Sequence, residues 1–182
     1  MRARLLSIIL ILFLCADANS ENDQFYAFPV QKDKCVNDFA QLISSEDTKK
    51  IKSLCSEIKK DGLAVIVVAT IDSIPKIRKE YENPVLFATD LANTWGIGRK
   101  GVDDGVLIFI SKNDRKTAIV TGYLTEYFLP DSEAGRILDE YMIPHFKNGD
   151  FGTGIISGII EARKVMEKNR KLMYPEEYKK TK

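Results

Sequence analysis

The sequence predicts an α/β fold with helices on both faces of a small mixed sheet, and three observations carry that prediction. Leu63 to Ile71 (LAVIVVATI) is almost unbroken in its apolar, β-branched character, the pattern of a strand covered on both faces. Val106 to Ile110 and Lys116 to Thr121 are strand-like runs joined by the polar turn Ser111 to Arg115, and together they read as a hairpin. Around them lie segments with apolar residues at helical spacing, in the order helix, strand, helix, hairpin, helix, helix.

Ser44 or Ser45 can cap the first helix, with Glu46 and Asp47 in its positively polarised first turn. Ile51, Leu54, Cys55 and Ile58 form its apolar stripe, and Asp61-Gly62 ends it. Ahead of it, Val36 to Ala40 with Leu42 and Ile43 is a short apolar patch expected to pack before the helix begins. After the long strand, Asp72 to Asn83 is a polar connection containing Pro75, irregular or briefly helical. Asn83 caps the next helix, and Pro84 takes its first position, where a missing N–H is tolerated. Val85, Leu86, Ala88, Leu91, Ala92 and Trp95 give this helix its apolar face, and Gly96-Ile97-Gly98 marks a sharp exit.

Beyond the hairpin, Gly122 to Pro130 reads as a loop. Asp131 or Ser132 caps a helix with Ile137, Leu138, Tyr141 and Met142 inward, and Pro144 is expected to stop it. His145 to Asp150 reads as a turn. The last helix runs from Phe151 to about Lys168, with Ile155, Ile156, Ile159, Ile160, Ala162 and Met166 as its stripe. Gly152, Gly154 and Gly158 lower its propensity, which points to close backbone packing.

A chain of 182 residues with 45% apolar and 29% charged residues suits one globular domain with a proper core. Residues 1–18 read as a cleaved signal peptide: Arg2 and Arg4 open it, Leu5 to Leu14 is apolar, and Ala16-Asp17-Ala18 fits a cleavage site. An uncleaved anchor is the alternative. Residues 19–34 form an extended lead-in, 35–170 the domain, and 171–182 a charged tail without periodicity, expected to be disordered. No later segment has the length and apolarity of a membrane span, so the mature chain is expected to be exported, whether secreted, periplasmic or lumenal. Without residues 1–18 the chain holds 25 basic and 25 acidic residues, which argues against nucleic acid as a partner. Two cysteines then remain, Cys35 and Cys55. In an oxidising compartment they suit a disulfide, and otherwise a helix-face core residue and a loop thiol.

The paired carboxylates Asp103 and Asp104, set before Gly105 at the mouth of the hairpin, mark where a site is expected. Several segments carry a resemblance. Val36-Asn37-Asp38-Phe39-Ala40, Trp95-Gly96-Ile97-Gly98, Asp103-Asp104-Gly105-Val106-Leu107, Asn113-Asp114-Arg115-Lys116, Thr121-Gly122-Tyr123, Asp131 and Pro144 to Phe151 resemble the TPM domain. That family is named for a thylakoid acid phosphatase, a photosystem-repair protein and a nematode receptor modulator. The resemblance runs in order from about Val36 to Met166 and implies a Rossmann-like three-layer α/β/α sandwich. It further implies either acid phosphatase activity, as described for plant members, or calcium binding, as described for bacterial ones. Carried over by position, its acidic residues are Asp38, Asp103, Asp104, Glu126 and Asp131. One segment departs from the pattern: Gly-x-Gly-Leu-Glu reads Gly122-Tyr123-Leu124-Thr125-Glu126 here, without the second glycine and the following leucine.

Ca²⁺ takes about 6–8 oxygen ligands, and Asp103 with Asp104, completed by Glu126 or Asp131 from the neighbouring loop, would supply several. Asp104-Gly105 equally suits a turn, and Asp131 a helix cap. A phosphatase needs an activated nucleophile or metal-bound water and cations for the phosphoryl oxygens. Arg99, Lys100 and Arg115 lie nearby in sequence, but there is no Walker-type loop and no Cys-x5-Arg motif, and no catalytic residue is assigned. His145, the single histidine, reads as structural. The expected function is an exported, Ca²⁺-binding module that supports a membrane or envelope protein complex. The alternative is a metal-dependent acid phosphatase. The partner is an unidentified protein, a membrane protein being one candidate. Acidic loops converging on one pocket with a cation facing it would favour the enzyme, and convergence without the cation would favour plain metal binding.

Overall fold

The computed structural model describes residues 28–174, so the expected signal peptide, most of the lead-in and the tail from residue 175 lie outside the described residues. The sheet has four strands in the order β1 (Val36–Asp38), β2 (Val65–Ile71), β3 (Gly105–Ser111) and β4 (Lys116–Thr121). β1, β2 and β3 run parallel, with Val68 opposite both Val36 and Ile108, and β4 returns antiparallel with Ile119 opposite Ile108. The patch at Val36 is thus an edge strand. Its three residues are too few to show a period, and β2 supplies the pairing that makes them extended.

β2 and β3 are buried along nearly their whole length because each face meets helices. Ile66, Val68, Val106, Ile108 and Ile110 face one core, while Val67, Ala69, Leu107 and Phe109 face the other. The first core is covered by α1 (Ser45–Lys60), capped by Ser44, whose hydroxyl accepts from Asp47 N at 3.0 Å. Ile51, Cys55 and Ile58 are its buried face. Cys55 is bridged to Cys35, just ahead of β1, with Cα atoms 6.6 Å apart, which ties this helix to the edge of the sheet. The second core is covered by α2 (Pro84–Trp95), capped by Asn83 and ended by Gly96 at φ 60°. A short 3₁₀ turn, Lys79–Glu82, adds Tyr81 to an aromatic group with Phe28, Phe87 and Phe109. At the end of α2 the Trp95 indole donates to the carbonyl of Pro29 at 2.8 Å.

The stretch after β4 corrects the sequence reading. Gly122 to Pro130 is not a loop: α3 (Tyr123–Phe128) occupies most of it. Neither Asp131 nor Ser132 caps the following helix, α4 (Asp131–Ile137), whose capping position is Pro130 without a side-chain bond. Pro144 does not stop the chain's winding either. A wide π turn at Leu138–Met142, closed by Ile143 N–H on the carbonyl of Leu138, leads into α5 (Ile143–Lys147). Proline lacks the N–H of a regular helix and its ring clashes with the carbonyl four residues back. The wider turn absorbs both defects. The expected turn at His145 is the end of α5, and α6 (Phe151–Met173) continues past Lys168 to Met173. The close packing expected of its glycines is present. A Cβ at Gly154 would press on Phe146, and one at Gly158 on Met142.

Arg136 of α4 bonds Glu133, Glu140 and Glu161, the last on α6, at 2.9, 3.0 and 3.0 Å. The Arg136 guanidinium, helped by Lys164, holds Glu161 below the usual glutamate range against the opposing effect of burial. A depressed carboxylate stabilises the fold above its unfolded pKa, and that stabilisation is lost as pH falls through the folded value. Glu161→Gln is therefore expected to cost about 1 kcal/mol near neutral pH. The difference from wild type should shrink below pH 4.5, the ordinary glutamate value. Urea titrations across that range check this, and a pH-independent gap would refute it.

Candidate functional site

Three segments meet at the open end of the hairpin: Ile97-Gly98, Asp103 to Gly105, and Thr121 to Leu124. They touch backbone to backbone. Gly122 N–H donates to the Gly105 carbonyl at 2.8 Å, and Leu124 N–H to the Asp103 carbonyl at 3.1 Å. A Cβ on Gly105 would lie 2.8 Å from the carbonyl carbon of Ile97, and one on Gly122 3.0 Å from that of Asp103. The junction is therefore closed to anything larger than hydrogen at both positions. Leu124, standing where the family pattern has glycine, packs against the core, while Thr125 turns a buried hydroxyl inward with no partner among the described residues.

The two adjacent aspartates point in opposite directions. Asp103 sits at φ 56° with its side chain exposed, and that carboxylate makes no hydrogen bond or ion pair among the described residues. Asp104 is turned in and 1% exposed. Its Oδ1 accepts from Arg99 N at 2.6 Å and its Oδ2 from Arg99 Nε at 2.6 Å. Glu126 on α3 and Asp131 at the start of α4 are both exposed.

Asp38 belongs to the other end of the sheet. It pairs with Thr70, whereas the Asp104 carbonyl accepts from Val65 N, so the two aspartates are separated by five residues of β2. At strand spacing that is about 16 Å, too far to share an ion. The Asp38 carboxylate accepts from Leu42 N at 3.0 Å, from Ile43 N at 2.9 Å and from the Thr70 hydroxyl. Its work is to hold the turn into α1.

Among the described residues no three His, Cys, Asp or Glu side chains come together in a way that could hold a metal. The carboxylates of Asp38 and Asp104 are already committed to protein donors. The residues as arranged do not fit a calcium ion shared by the acidic positions. Beside the junction lies a cleft of about 70 Å³ lined by Ala92, Asn93, Ile97, Leu107 and Val120. Small-molecule sites usually need about 300 Å³ or more.

What the junction does present is aromatic. Tyr123 and Tyr127, on one side of α3, are 70% and 51% exposed. Their rings meet edge to face at 5.5 Å, with hydroxyls 3.0 Å apart. That hydroxyl contact with Tyr123 holds Tyr127 above the usual tyrosine range. Val102 is exposed in the loop that leads to Asp103. Sequence reasoning passed over the tyrosine pair because the segment read as a loop. The available signal was the four-residue spacing of the tyrosines, which places side chains together only on a helix.

The model of the TPM domain matches residues 36–165. Among curated proteins none matches. Among solved structures, the N-terminal domain of a protein from P. gingivalis is 27% identical, with a TM-score of 0.64, over 74% of this chain and 83% of that one. The N-terminal domain of the cg2496 protein of Corynebacterium glutamicum shares the fold at 15% identity and a TM-score of 0.56, over 75% of this chain and 82% of its own. Protein BA42 of the psychrophilic bacterium Bizionia argentinensis does so at 20% and 0.52, over 70% and 83%. With the family model covering most of its length and the sandwich shared with these structures, the chain belongs to the TPM domain family.

Proposed function

We propose that this chain is an exported binding or assembly module that docks a protein partner through the α3 end of the sheet and catalyses no reaction. The observation that carries this reading is the exposed Tyr123–Tyr127 pair on a helix fastened to a tightly closed backbone junction. Tyrosines offer large contact area at little entropic cost and dominate protein interfaces. The junction beneath them is rigid, so little more is lost on binding. The disulfide at Cys35–Cys55 supports an oxidising, exported setting. No helix among the described residues is long and apolar enough to cross a membrane. The partner proposed here is a membrane or envelope protein complex, a reading that the family resemblance supports. The phosphatase alternative needs a cation aimed at the phosphoryl oxygens, and of Arg99, Lys100 and Arg115 the first is committed to Asp104.

A photo-crosslinking residue in place of Tyr123 is expected to trap one partner, and the same residue in place of Lys164, on the surface of α6, is not. Tyr123→Ala with Tyr127→Ala should weaken binding to the trapped partner at least about tenfold, as hot-spot aromatics do. Equal trapping at both positions would count against the reading. A metal-dependent phosphomonoester turnover of order 1 s⁻¹, abolished by Asp103→Asn, would replace it with the hydrolase.

A further inference from the structure

We infer that in this chain the guanidinium of Arg99 does what a divalent cation would do, so that the loop before β3 is closed by a side chain and needs no metal. The loop from Gly96 to Asp104 contains four residues with positive φ: Gly96 at 60°, Gly98 at 120°, Gly101 at 76° and Asp103 at 56°. No strand or helix runs through it. Such a path is held by whatever gathers its ends, and here one buried carboxylate does so.

The donor arrangement identifies the role. A buried carboxylate beside a backbone carbonyl from a neighbouring loop offers oxygens of the kind that hard divalent ions take, but fewer than the about 6–8 that Ca²⁺ gathers. At this position the charge comes from Arg99. Its Nε meets Asp104 Oδ2 at 2.6 Å, and its Nη2 reaches the carbonyl of Gly62 at 3.4 Å. Arg99 N–H closes on Oδ1 from the backbone side, while Val102 N and Asp103 N wind back onto the Arg99 carbonyl at 3.0 and 3.3 Å. The Asp104 carbonyl is meanwhile pinned to β2 through Val65 N at 2.9 Å. An ion entering here would have to displace a guanidinium tethered five residues away, whose effective concentration is about millimolar or higher. Arginine also keeps its charge at every pH the protein meets and matches a carboxylate with fixed, planar donors. With Asp104 satisfied inside, Asp103 turns to solvent and is left without the neighbour that would complete an ion's shell. This inference is independent of the tyrosine pair and of any partner.

The test is thermal unfolding of the purified protein in millimolar Ca²⁺ and in EDTA, on wild type, R99M, D104N and the double variant. Wild type is expected to melt within about 1 °C in the two conditions, where a site at a hundredfold saturation would shift by several degrees. R99M should melt several degrees lower, and D104N added to it should recover part of the loss, because the carboxylate left unpaired is then gone. R99K, which keeps the charge but not the planar donors, should fall between wild type and R99M. If R99M does not fold, R99K with and without D104N makes the same comparison. A rise of several degrees in wild type on adding Ca²⁺, or strictly additive effects of the Arg99 and Asp104 changes, would overturn the inference.

Discussion

Gly105→Ala is expected to destabilise the protein by about 3 kcal/mol or more, at the upper end of what overpacking does. The methyl group would meet the carbonyl of Ile97, which is backbone, and no rotamer change can move it aside. The Ile97 carbonyl cannot retreat easily, because Ile97 N is bonded to Ala92 at the end of α2 and Gly98 is wedged against Gly105 N. Relief would require separating α2 from β3, at the cost of the contacts around Leu91 and Leu107. Gly101→Ala is the control. Gly101 has φ 76° and nothing within reach of a Cβ, so that change should cost only the left-handed penalty of about 1–2 kcal/mol. Urea titration of the two variants separates crowding from backbone preference. Equal losses would mean that the close approach at Gly105 carries no special weight.

That contrast shows which parts of the molecule could be read from residues alone. β2, the β3–β4 hairpin, α1 and α2 were legible because each has a local cause: an apolar run, a turn, or a cap such as Ser44 or Asn83. α3 was not, since six residues between Gly122 and Pro130 are too short to sustain a helix by propensity. It forms because the Asp103 carbonyl receives Leu124 N–H and because Phe128 is buried, and both conditions are set elsewhere in the chain. At the site, the sequence singled out Asp103 and Asp104 at the hairpin mouth. It could not say that one carboxylate turns in and the other out. That outcome follows from Asp103 adopting φ 56° and Arg99 folding back over the loop, neither of which has a sequence period. Asp38 was grouped with the others by motif, and only the sheet register puts it at the opposite end.

Removing the bridge by Cys35→Ala with Cys55→Ala is expected to cost about 3 kcal/mol, the entropic value for a loop closed across a separation of 20 residues. For a domain of this size that corresponds to a fall of roughly 10 °C in melting temperature. The loss should appear as early fraying of β1, because its three residues pair in the sheet with β2 alone. Asp33 reinforces the same corner, accepting from Cys35 N at 2.8 Å and Val36 N at 2.9 Å and pairing with Lys52 at 2.6 Å. A reducing agent should reproduce the whole effect in wild type and add nothing in the double variant. A wild-type midpoint indifferent to reduction would show that the corner is held without the covalent link.

The bond from the Trp95 indole to the Pro29 carbonyl equips the molecule with an optical probe. Trp95 is the single tryptophan of the chain, so ultraviolet emission excited at the red edge of aromatic absorption comes from one known place. That place records two things at once: whether α2 still ends beside the loop that leads to Asp104, and whether the residues before β1 still lie across it. Clipping or displacing the stretch around Pro29 would give the indole N–H to water and shift its emission to longer wavelength, while the fold behind it stayed intact. Global unfolding would move the same signal together with the circular dichroism. The protein therefore distinguishes, without any added dye, the peeling of its leading segment from the melting of its core.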